Sequence, residues 1–305
     1  MTPIAWLWIP ITLAAALAQT ARNAAQRHLT PILGTFGATL VRFLYGLPFA
    51  VVWLAIVCEA GGFPLPSPNV KFFAWVVVAA VAQIIATALL LRVIAERNFS
   101  LGVAYSKTEV IQVAIFGFIF LGDRVTLATA AAVGLGTLGV LLMSPIDSKH
   151  PLRTLIAGWT TRSALLGILS GACFGFAAVG YRGGAIALEG AAFPAAAAYT
   201  LVAALSLQTV LLVGWLLIRD ARIVVRVFQA WRASLFAGLM GATASIGWFT
   251  AMAIEPVAHV RTLALVELLF GYVVSRRIFR EHVSRTELAG MALLTSGLIV
   301  VTLAR

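Results

Sequence analysis

Runs of about twenty mostly apolar residues follow one another along almost the whole chain, and this repetition constrains the fold more than any single motif. A helix rises about 1.5 Å per residue, so each run matches a hydrocarbon core about 30 Å thick. Ten runs are legible, at residues 3–22, 35–57, 71–94, 101–121, 125–144, 163–182, 193–218, 233–253, 257–277 and 286–303. They are continuously apolar rather than alternating, which excludes a strand barrel. Of 305 residues, 61% are apolar or aromatic and only 11% are charged, with a mean hydropathy of +1.00. A soluble domain carries about 25% charged residues, and a water-facing surface needs more polar side chains than this chain has. A soluble enzyme or a nucleic-acid module is excluded. The chain reads as an all-α integral membrane protein with ten transmembrane helices.

Turn chemistry separates the runs at His28-Leu29-Thr30-Pro31, Gly61 to Pro68, Ser144-Pro145-Ile146-Asp147 and Glu255-Pro256. Ala16-Leu17-Ala18 resembles a signal-peptidase site, but Met1-Thr2-Pro3 places no basic segment before the apolar stretch, so a retained first helix is expected. Lysines and arginines gather on one side of the ten-helix scheme. That side holds Arg22, Arg27, Arg92, Arg97, Lys149, Arg153, Arg162 and the arginines at 219–232 and 276–285, against Lys71, Arg124, Arg182 and Arg305 on the other. Basic loops of this kind face the cytoplasm, which accounts for the net charge of +11 without nucleic acid. This places both termini outside, in an inner (plasma) membrane of bacterial type. Cys58, Cys173 and four scattered histidines carry no metal-ligand spacing, so neither a metal nor a cofactor is expected.

The two halves overlay with a constant shift of 158 residues, which carries Glu109 to Glu267, Asp123 to Glu281, Val125 to Val283, Thr137 to Thr295 and Gly139 to Gly297. Residues 1–150 and 151–305 then hold five helices each. An odd number sends the second half into the membrane from the opposite face, giving a 5+5 inverted-topology repeat of the kind many secondary transporters use. An arginine lies inside helix two, in Gly37-Ala38-Thr39-Leu40-Val41-Arg42-Phe43, and acids close helices four and nine, in Leu121-Gly122-Asp123 and Phe279-Arg280-Glu281. With ten helices in a 5+5 arrangement, this pattern resembles the EamA-type branch of the drug/metabolite transporter superfamily over essentially the whole chain. The resemblance implies a shared fold, a cargo among amino acids, other metabolites and drugs, and export as the direction of transport. Basic residues between helices two and three, common in that family, are lacking from Glu59 to Pro68.

Ionisable groups at membrane depth cost about 2.5–3.5 kcal/mol each on insertion scales, so they face a cavity or a partner. Glu109 and Glu267 occupy matching mid-helix points and could bind a substrate ammonium or exchange a proton; pairing with an arginine for structure alone is the plainer reading. Tyr105, Glu109, Gln112 and Phe116 share one helical face, as do Arg42, Tyr45 and Phe49. Lys107, two residues from Glu109, is expected to point elsewhere and reach the interface. Arg42 could clamp a carboxylate through its planar fork or hold the halves together. Arg261 reads as interfacial or as a gate contact. Gln19 and Gln83 are cavity candidates, and Trp248 with Tyr105, Tyr181 and Tyr199 could form an aromatic wall. The other tryptophans read as interface anchors. Gly167, Gly171 and Gly175 form a small-residue stripe for close helix packing, as do Gly134, Gly136 and Gly139.

The expected function is secondary transport of a small metabolite by alternating access, driven by a gradient and with protons exchanged at Glu109 and Glu267. Mixed charge at the cavity suits an amino acid, with the aromatic residues favouring a flat side chain. Small organic cations or drugs are the second cargo class, and a non-transporting, lipid-handling membrane protein is the reading outside transport. No enzyme is expected, because no nucleophile–base pair or metal constellation is legible. The expected partners are the solute and the bilayer, with the chain acting as a monomer.

Overall fold

The computed structural model describes residues 6–96, 106, 107, 109–123 and 162–278, with isolated positions among 126–138 and 288–296. Spans 125–144 and 286–303 therefore fall largely outside the described residues, as do Tyr105, the boundary near residue 150 and most of the repeat landmarks beyond Asp123 and Glu267.

Every described element is a helix: α1 (Trp8–Leu44), α2 (Leu47–Ala55) with a π-helical turn (Ile56–Ala60), α3 (Val70–Glu96), α4 (Glu109–Leu121), α5 (Arg162–Ala187), α6 (Phe193–Gln229), α7 (Trp231–Ile254), α8 (Val257–Leu263), a 3₁₀ turn (Ala264–Val266) and α9 (Glu267–Arg277). Six helical stretches among the described residues are long and apolar enough to cross a membrane: Trp8–Ala60, Val70–Glu96, Arg162–Ala187, Phe193–Gln229, Trp231–Ile254 and Val257–Arg277. Their outward faces are apolar. On α3, Phe73, Val77, Val81 and Ile85 are exposed at intervals of four while Phe72, Val76, Ala79 and Ala80 are buried. A long exposed apolar stripe opposite a packed one is what a helix between lipid and protein requires.

The first break lies later than the sequence suggests. Pro31 stands inside α1, and the chain turns at Gly34, whose φ of 69° is open to a residue without Cβ. Gln26 Nε2 donates to the Ala38 carbonyl at 2.7 Å and ties the two arms across the kink. Arg27 consequently lies within a helix instead of in a basic loop, and Arg22, at the end of the first run and counted on the basic side, is fully buried. A second break at Tyr45-Gly46 precedes Pro48, which has no N–H for the helix ladder. At the start of α3, Asn69 Oδ1 accepts from the Phe72 backbone N–H at 2.8 Å, and its amide donates to the Ala187 carbonyl at the end of α5 at 2.7 Å.

The two largest helix interfaces pair α1 with α7 and α3 with α5; α4 lies on α5 and α8, and α9 lies on α1. Small residues set these separations. A Cβ on Gly238 of α7 would collide with the Cβ and carbonyl of Tyr45, and one on Gly180 of α5 would sit 2.8 Å from the Ala79 side chain. Of the stripe Gly167, Gly171 and Gly175, Gly175 lies against Val113 of α4, whereas Gly180, Gly183 and Gly184 face Ala79, Trp75 and Val76 of α3.

Candidate functional site

Two helices begin at a glutamate inside the protein. Glu109 is the first residue of α4 and Glu267 the first of α9, and both are buried. At 1.5 Å per residue, α4 carries Glu109 about 18 Å from Leu121, and α9 carries Glu267 about 15 Å from Arg277.

Glu267 is saturated with donors. Lys107 Nζ reaches Oε2 at 2.5 Å, Gln19 Nε2 donates to the same oxygen at 2.7 Å, and Asn23 Nδ2 donates to Oε1 at 3.0 Å. Gln19 in turn accepts from Trp248 Nε1 at 2.8 Å, and Asn23 Oδ1 accepts from Arg22 Nη2 at 2.7 Å. Glu109 is held at longer range, with Arg261 Nη1 at 3.5 Å and Lys107 Nζ at 3.8 Å from Oε1. The Arg261 guanidinium also lies 5.1 Å from the Trp248 ring centroid, within cation–π range. Lys107 thus bridges the two glutamates.

A neutral network closes the other wall. Gln83 Oε1 accepts from Tyr181 Oη at 3.0 Å and from Gln208 Nε2 at 2.7 Å, and Gln208 Nε2 also lies 2.9 Å from Tyr181 Oη. Tyr181 stacks on Phe249 with centroids 4.9 Å apart. Arg42 Nη1 donates to Thr87 Oγ1 at 2.9 Å, and its guanidinium lies 5.9 Å from the Phe174 ring centroid. Between the walls is a cavity of about 20 Å³, lined by Arg42, Gln83, Lys107, Glu109, Trp248 and Glu267 among others. That is room for about one water, which needs roughly 10–15 Å³ by the same measure.

Outside this cavity, Arg182 of α5 donates through Nη1 to the carbonyls of Met252 at 2.5 Å and Glu255 at 2.7 Å, and its Nη2 lies 3.8 Å from Asp123. Glu255 pairs with His259 Nδ1 at 2.6 Å. These contacts draw together the ends of α4, α5 and α7 and the start of α8.

Of the residues singled out in the sequence, Gln19, Arg42, Gln83, Glu109, Trp248 and Glu267 meet at one cavity. Tyr45 stands apart: its hydroxyl donates to the Val227 carbonyl at 3.2 Å and its ring leans on Phe228. The helix breaks at Tyr45, so the face it was expected to share with Arg42 and Phe49 is interrupted. Tyr199 packs on Phe72, away from the cavity lining. Lys107 does not reach an interface; it precedes α4 in a turn, so helical spacing does not separate it from Glu109. Arg261 is likewise a cavity residue, buried on α8, which continues through the 3₁₀ turn into α9. Asn23 and Gln208 join the network as well. Their signal was an amide within an apolar run.

No protein-family model matches the chain, and no curated protein matches it. Twenty-four solved chains match it in fold. One, described only as "Crystal structure of protein", superposes with a TM-score of 0.63 at 15% identity, covering 97% of this chain and 99% of that chain. At that identity the likeness is one of fold.

Proposed function

We propose that this protein is a secondary transporter of small charged metabolites that works by alternating access, on the ten-helix, 5+5 inverted-repeat plan of the drug/metabolite superfamily. The observation that carries this reading is the pair of buried glutamates, one at the head of α4 and one at the head of α9, that face one polar cavity with Lys107 between them. A polar site near the bilayer midplane, between two parts of the chain, is a recurring build in secondary transporters.

The helix pairing supports the repeat. In the ten-span numbering, α1 with α7 joins spans one and eight, and α3 with α5 joins spans three and six. A shift by half the chain exchanges these two pairs. The same shift carries Glu109 to Glu267, and carries Asn23, which binds Glu267, to Tyr181, which binds Gln83. On this reading the enclosed cavity is an occluded state, and the Arg182–Asp123 contacts close one end of it. Glutamates and basic groups side by side fit a cargo with a carboxylate, of which an amino acid is the zwitterionic case. Proton exchange falls to Glu109, the less saturated of the two acids.

The test is solute counterflow in proteoliposomes loaded with unlabelled solute and challenged with the labelled form, across amino acids, organic anions and a quaternary ammonium. Transient accumulation that Glu109→Gln abolishes is the expected result. Its absence for every class, with folded protein in the bilayer, would remove the transporter reading.

A further inference from the structure

The charges buried at the centre do not balance. Among the described residues four cations lie there, Arg22, Arg42, Lys107 and Arg261, exposed by 1%, 4%, 5% and 6%, with two carboxylates, Glu109 and Glu267. Lys107 and Arg261 reach those carboxylates. Arg42 and Arg22 reach no acid within ion-pair distance among the described residues: Arg42 is left with the Thr87 hydroxyl and Arg22 with the Asn23 amide. Unpartnered donors remain on both, Nε of Arg42 and Nε and Nη1 of Arg22. The two side chains lie side by side, since a Cβ on Gly241 would meet Arg22 Cδ at 3.2 Å and Arg42 Cγ at 3.7 Å. Two adjacent guanidinium groups at membrane depth without counter-ions are costly, and an arginine fork left open is built for a carboxylate or phosphate.

Resting on the transporter reading above, we propose that the cargo is a small organic anion carrying more negative than positive charge, its oxyanion group taken by Arg42 with Arg22 beside it. A zwitterion brings no net charge and leaves the excess of two positive charges standing. A cation would add to it. Trp248, Phe174 and Phe249 on the cavity wall face the apolar body of the same solute.

The experiment uses the full-length protein in proteoliposomes, with succinate and benzoate as carboxylate probes, 3-phosphoglycerate as a phosphate probe, phenylalanine and threonine as zwitterions and tetramethylammonium as a cation. Each probe is also tested for raising the melting temperature of the purified protein in detergent. Exchange and thermal stabilisation by at least one anion, with zwitterions and cation inactive, is the expected result; the responding anion tells carboxylate from phosphate. Arg42→Gln lowers apparent affinity for that anion by about tenfold or more, the equivalent of about 1.4 kcal/mol. Arg42→Lys, which keeps the charge and loses the fork, falls between. Both variants are compared by melting and gel filtration, so that misfolding is separated from lost binding. Exchange of phenylalanine, threonine or tetramethylammonium without any anion overturns the charge assignment and leaves the transporter reading standing. If no probe of any class is exchanged or stabilises the protein, both readings fall together.

Discussion

Glu267 and Glu109 occupy equivalent places, each opening a helix at the same cavity, yet their surroundings differ. Glu267 has three donors within 3.0 Å, drawn from α1 and from the turn before α4. Glu109 has two cations at 3.5 and 3.8 Å. Equivalent positions have therefore taken different duties. Glu267 cross-links the two halves, whereas Glu109 keeps spare acceptor capacity for a proton or for rearrangement. On the repeat proposed above, such a site has both a fixed point and a movable one.

Removing the fixed point has the largest expected effect. Glu267→Ala strands Lys107, Gln19 and Asn23 together, and breaking a buried ion pair costs about 3–5 kcal/mol. A large fall in detergent melting temperature and loss of counterflow should follow. A melting temperature within a few degrees of wild type would mean that the acid is not a cross-link. Adding Lys107→Met to Glu267→Gln removes the orphaned cation, so the double variant should be more stable than Glu267→Gln alone; a double-mutant cycle measures this coupling. Glu109→Gln should cost no more than about 1–2 kcal/mol, because its contacts are long, while transport and its pH dependence change strongly. Stability losses equal to those of Glu267→Gln would erase the distinction between the two acids. Smallest is Trp248→Phe, which keeps a ring beneath Arg261 but loses the bond to Gln19 Oε1, at about 1 kcal/mol by thermal melting.

Much of this was legible in the sequence. Glu109 and Glu267 stand out because an acid inside an apolar run needs a reason, and the 158-residue shift joins them before any coordinates do. Gln19, Gln83 and Arg42 follow from the same cost of polar groups at depth. The helix interruptions were hidden. Neither 104–110 nor 261–269 contains proline or glycine, so nothing local announces that Lys107 stands in a turn or that the helix tightens to 3₁₀ at Ala264–Val266. Reading a continuous helix at Lys107 turns it away from Glu109, and the place of Arg261 near the start of its run suggests a surface, although the residue is buried. The opposite holds near residue 31, where a proline suggests a stop that the chain defers to Gly34, so Arg27 lies within a helix and not in a loop. Breakers mark where a helix can end, while tertiary packing decides whether it does.

The small cavity has a consequence for the membrane as a whole. A cell holds a voltage across its bilayer worth about 2.3 kcal/mol per elementary charge per 100 mV, and any continuous file of water through a protein would let protons run down it. Here the centre admits about one water, on the scale where 10–15 Å³ suffices for a single molecule. That water faces an excess of guanidinium charge, which repels protons and metal cations, as an arginine does in a selective pore. On the transporter reading, so small a centre keeps water from crossing in file, and the arginines proposed to cradle a solute also hold back cations between one solute and the next.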